Sequence, residues 1–288
     1  MSSKQNFSDA LSGWLMAAPL VIVLALFLVL PIAMIVVVSF WGATEFSIYP
    51  AFKLDNYEFL LRSSVTYSVY LKTFMFTIIS WALCLVIGFT VAYFLAFHVR
   101  TQTWQIVLFL LCTVPFWTSN IIRMISWVPF LGRNGIANQT LMSMGVIEQP
   151  LEWLLFSDFA VVLAFVHLYT LFMVVPIFNT MMRIDKSLLE AARDAGATGF
   201  QTLTNVILPL TKPGIMIGSI FVVTLVMGDF ITVRFMSGSQ SANVGRLISN
   251  DVALLRYPSA AATSVVLLIT VLITIGIMLR FVNIRKEL

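Results

Sequence analysis

Charge is what this sequence has least of. Asp, Glu, Lys and Arg make up 10% of its 288 residues, against about 25% in an ordinary soluble domain. With 17 basic and 13 acidic residues it cannot build a polar shell around a globule of this size. That excludes a soluble enzyme, a disordered chain and a nucleic-acid-binding domain. Cysteine is nearly absent: Cys84 and Cys112 sit inside apolar runs, so neither a disulfide framework nor a metal spacing exists. No G-x-x-x-x-G-K-[ST] loop is present, so the chain has no cradle for ATP phosphates. H-E-x-x-H and G-x-S-x-G are also missing.

What is present is apolar. Hydrophobic residues make up 60% of the chain, which points to an all-α, polytopic membrane protein. At roughly 20 residues per span, the length holds six or seven helices and not twelve. Six stretches are expected to span the bilayer: Trp14–Phe40, Val69–Phe97, Ile106–Leu131, Phe159–Phe178, Pro213–Met236 and Ala260–Val282. The first run is too long for a signal peptide and is read as retained, with Lys4 ahead of it. The third is the least regular, with Pro115, Ser119, Asn120, Arg123 and Pro129 inside it, and part of it is expected to face protein or water. Pro19, Pro31 and Pro176 mark starts, ends or kinks elsewhere.

The positive-inside rule sets the orientation. With the N-terminus in the cytoplasm, the inner segments hold Lys4, Arg100, Arg183, Lys186, Arg193, Lys212, Arg280, Arg285 and Lys286. The outer segments hold only Lys53, Arg62, Arg133, Arg246 and Arg256. Acids lean outward, as Glu45, Asp55, Glu58, Glu148, Glu152, Asp158 and Asp251. Both termini are therefore expected on the cytoplasmic side.

Segment 183–212 is the most informative in the chain. Seven of the 30 charged residues lie there: Arg183, Asp185, Lys186, Glu190, Arg193, Asp194 and Lys212. Ser187 with Glu190, and Thr198 with Gln201, have capping-box spacing. Two short helices are expected, about 188–195 and 199–208, with Gly196 as a left-handed cap between them and Pro209 ending or bending the second. Leu188, Ala191, Ala192 and Ala195 would line one face of the first, and Phe200, Leu203, Val206 and Ile207 one face of the second. Such a pair suits docking into a groove of another protein. Packing beneath its own bundle fits the same pattern.

Glu190-Ala191-Ala192, Gly196, Val206 and Leu208-Pro209 resemble, in order and spacing, the EAA signature of ATP-binding-cassette importer permeases. Val206 stands where that pattern has isoleucine. Asn56-Tyr57, Val114 to Thr118, Ile122-Arg123, Gly228-Asp229-Phe230 and Pro258 with Ala260-Ala261 extend the likeness over nearly the whole chain. In that order they are similar to the polyamine (spermidine/putrescine) importer permeases of the first-permease type. Leu171 and Val233 stand in place of prolines.

The resemblance implies one permease domain over residues 1–288, a MetI-like type I bundle of six helices, in a bacterial inner membrane. Within it, 183–212 would be the coupling loop. Glu190, Ala191, Ala192, Asp194, Gly196, Leu208 and Pro209 would be the positions that meet or shape the docking element for the ATPase. The implied partners are a dimeric cytoplasmic ATPase carrying ATP and Mg, a second and different permease, an extracytoplasmic solute-binding protein, and membrane lipid. No cofactor would be bound by this chain.

Ionisable groups inside spans are functional candidates by default. Asp229 is the one acid within an expected span; it either lines the path of a cationic solute or pairs with Arg234 or Arg123. Arg123 with Trp117, Thr118 and Asn120 forms either a polar constriction or a packed kink against a neighbouring permease. Lys72 is expected to snorkel, and His167 to make an interhelical hydrogen bond. Gly214 and Gly218 have the small-xxx-small spacing of packed helices. Most of the tryptophans, among them Trp14, Trp41, Trp81 and Trp104, fall near expected span ends. Gly228-Asp229 matches part of the G-x-G-D motif of intramembrane proteases, but Val226 occupies the first glycine position and no second intramembrane aspartate shares a proton. A self-sufficient secondary transporter would need internal repeats, and none is evident between the two halves.

Overall fold

The computed structural model describes residues 16–44 and 47–280. Lys4, Trp14, Glu45, Val282, Arg285 and Lys286, used in the sequence reading, lie outside the described residues. Five helices are long and apolar enough to cross a membrane: α1 (Met16–Val38), α3 (Ser64–His98), α8 (Asp158–Met181), α10 (Gly199–Gly228) and α13 (Tyr257–Arg280). A sixth crossing exists if the pair Gln102–Trp117 and Asn120–Ser143, bent by 91°, counts as one span. That pair comprises α4 (Gln102–Trp117) and the short helices α5 (Asn120–Ile125), α6 (Trp127–Leu131) and α7 (Ile136–Ser143). The remaining elements are a two-residue hairpin β1 (Gly42–Ala43) and β2 (Ile48–Tyr49), and helices α2 (Asp55–Arg62), α9 (Lys186–Asp194), α11 (Phe230–Met236) and α12 (Val244–Ala253).

Contacts divide the chain into two units, Met1–Ser63 with Ile248–Leu268, and Ser64–Leu247 with Ile269–Leu288. In the first, Asn56 and Tyr57 close the end of α1. Asn56 Nδ2 donates to Ser39 O at 2.9 Å and to Trp41 O at 3.0 Å, while the hydroxyls of Tyr57 and Ser39 are 2.6 Å apart. The last helical carbonyls lack intrahelical donors and are met by the following turn and by Ser39 Oγ, while Asn56 satisfies the carbonyls of Ser39 and Trp41 just beyond.

In the second unit, α3, α8 and α10 form the core, with Phe76, Phe165, Met173, Ile177, Val222 and Val226 buried among them. Lipid is as apolar as these side chains, so close van der Waals packing holds the helices together rather than hydrophobic transfer. Glycines allow the approach. A Cβ on Gly88 would lie 2.7 Å from Met173 Cγ, and one on Gly214 would lie 2.5 Å from the carbonyl oxygen of Pro176. Gly214 and Gly218 thus pack α10 onto α8, as their spacing suggests. Trp81, expected near a span end, instead lies well inside α3 and donates its indole N–H to Ser219 Oγ of α10 at 2.8 Å.

Two boundaries differ from the sequence reading. The fifth span was expected over Pro213–Met236. It begins at Gly199 and stops at Gly228, and Phe230–Met236 forms a separate helix. Pro209 does not end a short helix, because α10 runs through it. A π-helical turn, Leu203–Ile207, immediately precedes Pro209 and widens the helix where proline cannot donate. The same device precedes Pro31, where Ala25–Val29 is π-helical. The third span breaks after Pro115: Val114–Trp117 tightens to a 3₁₀ turn, and Thr118 and Ser119 are extended.

Gly214→Ala should lower stability by about 1–3 kcal/mol through overpacking. A denaturation series in detergent micelles would show it as an earlier midpoint, with Gly276→Ala, which meets no atom within 4 Å, as the neutral control.

Candidate functional site: the 183–212 loop and the intramembrane polar cluster

The loop is built by local chemistry. Helix α9 starts at Lys186, and its N-cap is Asp185, whose carboxylate accepts from Ser187 N at 3.0 Å. The Ser187–Glu190 capping box expected from spacing does not form. A carboxylate one turn-start earlier is ionised, and it suits the positive end of the helix better than a neutral hydroxyl. The hydrogen bonds from Ser187 hold the Asp185 carboxyl below the ordinary aspartate range.

Gly196 adopts φ +77°, donates to Arg193 O at 2.8 Å, and lets Ala197 donate to Ala192 O at 2.9 Å. This is a Schellman closure, and it requires the left-handed conformation that glycine adopts without strain. The next helix opens with a complete capping box: Gln201 N donates to Thr198 Oγ1 at 3.3 Å and Thr198 N to Gln201 Oε1 at 2.8 Å.

The faces of the pair sort by exposure. Leu189 packs on the core, Ala192 is half-buried, and Leu188, Glu190, Ala191, Asp194, Ala195 and Gly196 are exposed. Thus Ala192 leaves the stripe expected for Leu188, Ala191 and Ala195. Phe200 is 73% exposed, whereas Leu203 packs inward and Ile207 is buried. Leu208 is exposed and Pro209 half-buried, both within α10. The loop therefore presents Leu188, Ala191, Ala195 and Phe200 outward. Behind α9 lies a cavity of about 690 Å³ whose lining includes Glu190, Arg193 and Arg100.

The intramembrane candidates fall in two places. Asp229 sits in the break between α10 and α11 and caps α11. Its Oδ1 accepts from Thr232 N at 3.0 Å, and its Oδ2 from Thr232 Oγ1 at 2.5 Å and from Tyr169 OH at 2.6 Å. Asn243 Nδ2 donates to its backbone carbonyl at 2.8 Å. No ion pair joins Asp229 to Arg234 or Arg123 among the described residues. Tyr169 was missed in the sequence because 60 residues separate it from its partner. The signal was a hydroxyl in the middle of an apolar span, which usually has a hydrogen-bond partner.

Trp117, Thr118, Asn120 and Arg123 gather at the break of the third span. Thr118 Oγ1 donates to Pro115 O at 2.8 Å, and Arg123 Nη2 donates to Asn120 Oδ1. Trp117 is 87% exposed and Arg123 only 7%. Helix α5 packs on α8 and α11, so both groups flank the same helices without touching through charge. An aromatic chain adjoins them: Phe116 to Phe172 at 4.9 Å, Phe172 to Tyr169 at 6.2 Å and Phe172 to Phe221 at 6.0 Å. His167 Nδ1 accepts from Trp127 Nε1 at 2.9 Å, the interhelical bond expected for it. Lys72 does not simply snorkel. It pairs with Asp158 at 2.7 Å, and Ser241 also donates to that carboxylate.

Residues 85–284 match the family of binding-protein-dependent transport system inner membrane components. The chain belongs to that family. It is 38% identical over 258 residues to the spermidine/putrescine transport system permease protein PotB of Escherichia coli (strain K12), covering 89% of this chain and 91% of that one. Identity to PotB of Haemophilus influenzae (strain ATCC 51907 / DSM 11121 / KW20 / Rd) is 32% over 245 residues, covering 84% of each. A chain of the bacterial alginate ABC transporter, solved in complex with alginate pentasaccharide-bound periplasmic protein, superposes with TM-score 0.78 at 16% identity over 96% of each chain. That likeness shows a shared fold. The protein is thus a multi-pass inner-membrane permease subunit of an ABC importer and not an enzyme.

Because the Asp185 carboxyl is depressed when folded, its cap is in full force above the unfolded aspartate pKa and is lost as pH falls through the lower folded value. The protection of the α9 amides, measured as exchange relative to the intrinsic rate at each pH, should therefore fall below about pH 4, and Asp185→Asn should flatten that dependence. Gly196→Ala should cost about 1–2 kcal/mol of local stability, read by the same exchange measurement at neutral pH.

Proposed function

We propose that this permease forms half of an import pathway for polyamines of the spermidine/putrescine class and is driven through its 183–212 loop by a separate ATPase that holds ATP and Mg. The observation that carries the coupling reading is the shape of that loop. A capped helix ends in a glycine-dependent reversal, and its apolar stripe of Leu188, Ala191 and Ala195, with Phe200, faces outward rather than into the bundle. Small side chains let a partner surface approach closely, and Glu190 and Asp194 rim the stripe with charge. The loop lies on the cytoplasmic side in this reading, as do both termini, because Lys and Arg concentrate there.

Helix α10 makes the loop mechanical. It runs unbroken from Gly199, beside the docking stripe, to Gly228, next to Asp229. Thirty residues of helix extend about 45 Å. A displacement of the loop by the ATPase therefore reaches the Asp229 break through one rigid element. The π-helical turn at Leu203–Ile207 carries the helix past Pro209 without a break, so loop and span stay one rod. Leu208 and Pro209 lie just beyond it.

For the solute, the support is the likeness to the two PotB proteins together with the chemistry near Asp229. A carboxylate bonded to Tyr169, whose ring continues into Phe172 and Phe221, offers an ammonium group a counter-charge at one end of an aromatic row. Trp117, Thr118 and Asn120, exposed at the third-span break, are further pathway candidates. The remaining half of the pathway comes from a second, non-identical permease, and an extracytoplasmic binding protein delivers the solute.

Glu190→Ala combined with Gly196→Pro should abolish co-purification of the ATPase and solute-stimulated ATP hydrolysis while the chain still inserts. Retained coupling in the double variant would disprove the docking role. Asp229→Asn keeps one acceptor for the Thr232 amide, and removes the charge together with the second acceptor that Tyr169 and the Thr232 hydroxyl share. A charged hydrogen bond contributes about 1.5–3 kcal/mol, so kcat/KM for spermidine uptake should fall about tenfold or more with the assembled complex intact. Unchanged uptake kinetics would remove Asp229 from the pathway.

A further inference from the structure

Arg123 is a buried cation without a counter-charge. Its guanidinium carbon lies 5.5 Å from the centre of the Phe116 ring, Nη2 reaches Asn120, and Nε is buried with no hydrogen-bond partner. No carboxylate forms an ion pair with it among the described residues. Asp229 is already engaged by Tyr169 and Thr232. Arginine cannot discharge itself by giving up its proton, and an unpaired charge in hydrocarbon is costly.

Arg123 faces a cavity of about 200 Å³, walled also by Phe116, Cys112, His167, Thr170 and Val91. Two of its polar walls are already committed. Thr170 donates to Val166 O at 2.6 Å. His167 accepts at Nδ1, which leaves the imidazole proton on Nε2. The strong donors left to give belong to the Arg123 guanidinium, its buried Nε among them, and to His167 Nε2. An ammonium finds repulsion in such a cavity; a carboxylate finds its complement.

Beside the cavity the break exposes Trp117, Ile122 and Val114, at 87%, 65% and 57%. Lipid against these side chains would leave the Arg123 charge uncompensated. A helix carrying a carboxylate would cover them and neutralise it. We propose that the third-span break is a contact with the second permease, which places an Asp or Glu carboxylate in this cavity against Arg123 Nε. The inference rests on the reading above that a second permease completes the pathway.

The test uses the co-expressed transporter, purified through this chain. Arg123→Gln should reduce recovery of the second permease at least tenfold while this chain still inserts, and Arg123→Lys should restore most of it. Defects of Arg123→Glu should be relieved by an acid-to-lysine change in a span of the second permease. Wild-type recovery with Arg123→Gln, or relief only by changes within this chain, would overturn the proposal. Cys112 gives a readout that needs no change at position 123. In a Cys84→Ala background, a membrane-permeant maleimide should label Cys112 when this chain is reconstituted alone, and at least tenfold more slowly in the complete complex. Equal labelling overturns the proposal. So does protection of the lone chain by phosphatidylglycerol vesicles relative to phosphatidylcholine vesicles, which would assign the cavity to a lipid phosphate. Absence of any second permease from the wild-type complex would overturn the functional reading itself, whereas its presence with an indifferent Arg123 overturns this inference alone.

Discussion

In hydrocarbon no water waits to satisfy a backbone amide or carbonyl, so every interruption of a helix must be repaired from within the protein. This chain interrupts its helices repeatedly, and some of its intramembrane polar groups serve as the repairs. Thr118 returns a hydrogen bond to Pro115 O at the third-span break. Within continuous helix, Thr180 and Thr211 donate back to Pro176 O and Ile207 O and so hide their own hydroxyls from lipid. At Asp229 the repair takes a full carboxylate, because the helix stops and a new one starts. A residue that caps α11 is thereby held at a fixed place between α8 and α10, with Tyr169 clamping its second oxygen. Structural duty and suitability for a cationic solute are compatible there, since a carboxylate oxygen can accept more than one bond.

The same constraint shapes the lever. Proline at 209 and at 213 would break a regular α-helix near the membrane surface. The π-helical turn before Pro209 relieves the first. The span therefore stays joined to the loop that precedes it, rather than hinging at Pro209. Close packing then fixes the lever laterally. Gly214 and Gly218 bring α10 against Pro176 and Met173 of α8, and Trp81 ties it to α3. Force applied at the Phe200 end meets a stiff, well-seated helix.

Much of the architecture was legible in the residue order. Apolar runs located the spans because hydrocarbon thickness sets their length. The third span's irregularity followed from Pro115 amid Ser, Asn and Arg. Gly196 and the Thr198–Gln201 box were readable because each acts over a few residues. Where reading failed, a local competitor won or a remote partner intervened. Ser187 had the right spacing for a cap, but Asp185 was the better acceptor. Pro209 was expected to end or bend the second helix; it does not end it, because the π-helical turn before it lets the helix continue. Lys72 looked like a snorkelling end and found Asp158 on another helix.

The amino-acid order by itself determined membrane residence, the number of apolar runs, the capped reversal at 194–201 and the family of importer permeases. The first three depend on composition or on neighbours within about four residues, and the family on matched positions from Asn56 to Ala261. Tertiary structure alone decided that Asp229 bonds Tyr169, that α10 is one rod from loop to break, and that Arg123 is buried with no carboxylate partner among the described residues. These depend on which helix faces which, and in lipid that choice is made by close fit of glycines and ridges and by the need to satisfy each polar group. Glycine spacing such as Gly214 and Gly218 is visible in the sequence, but which helix it meets, and which polar groups pair across helices, is not.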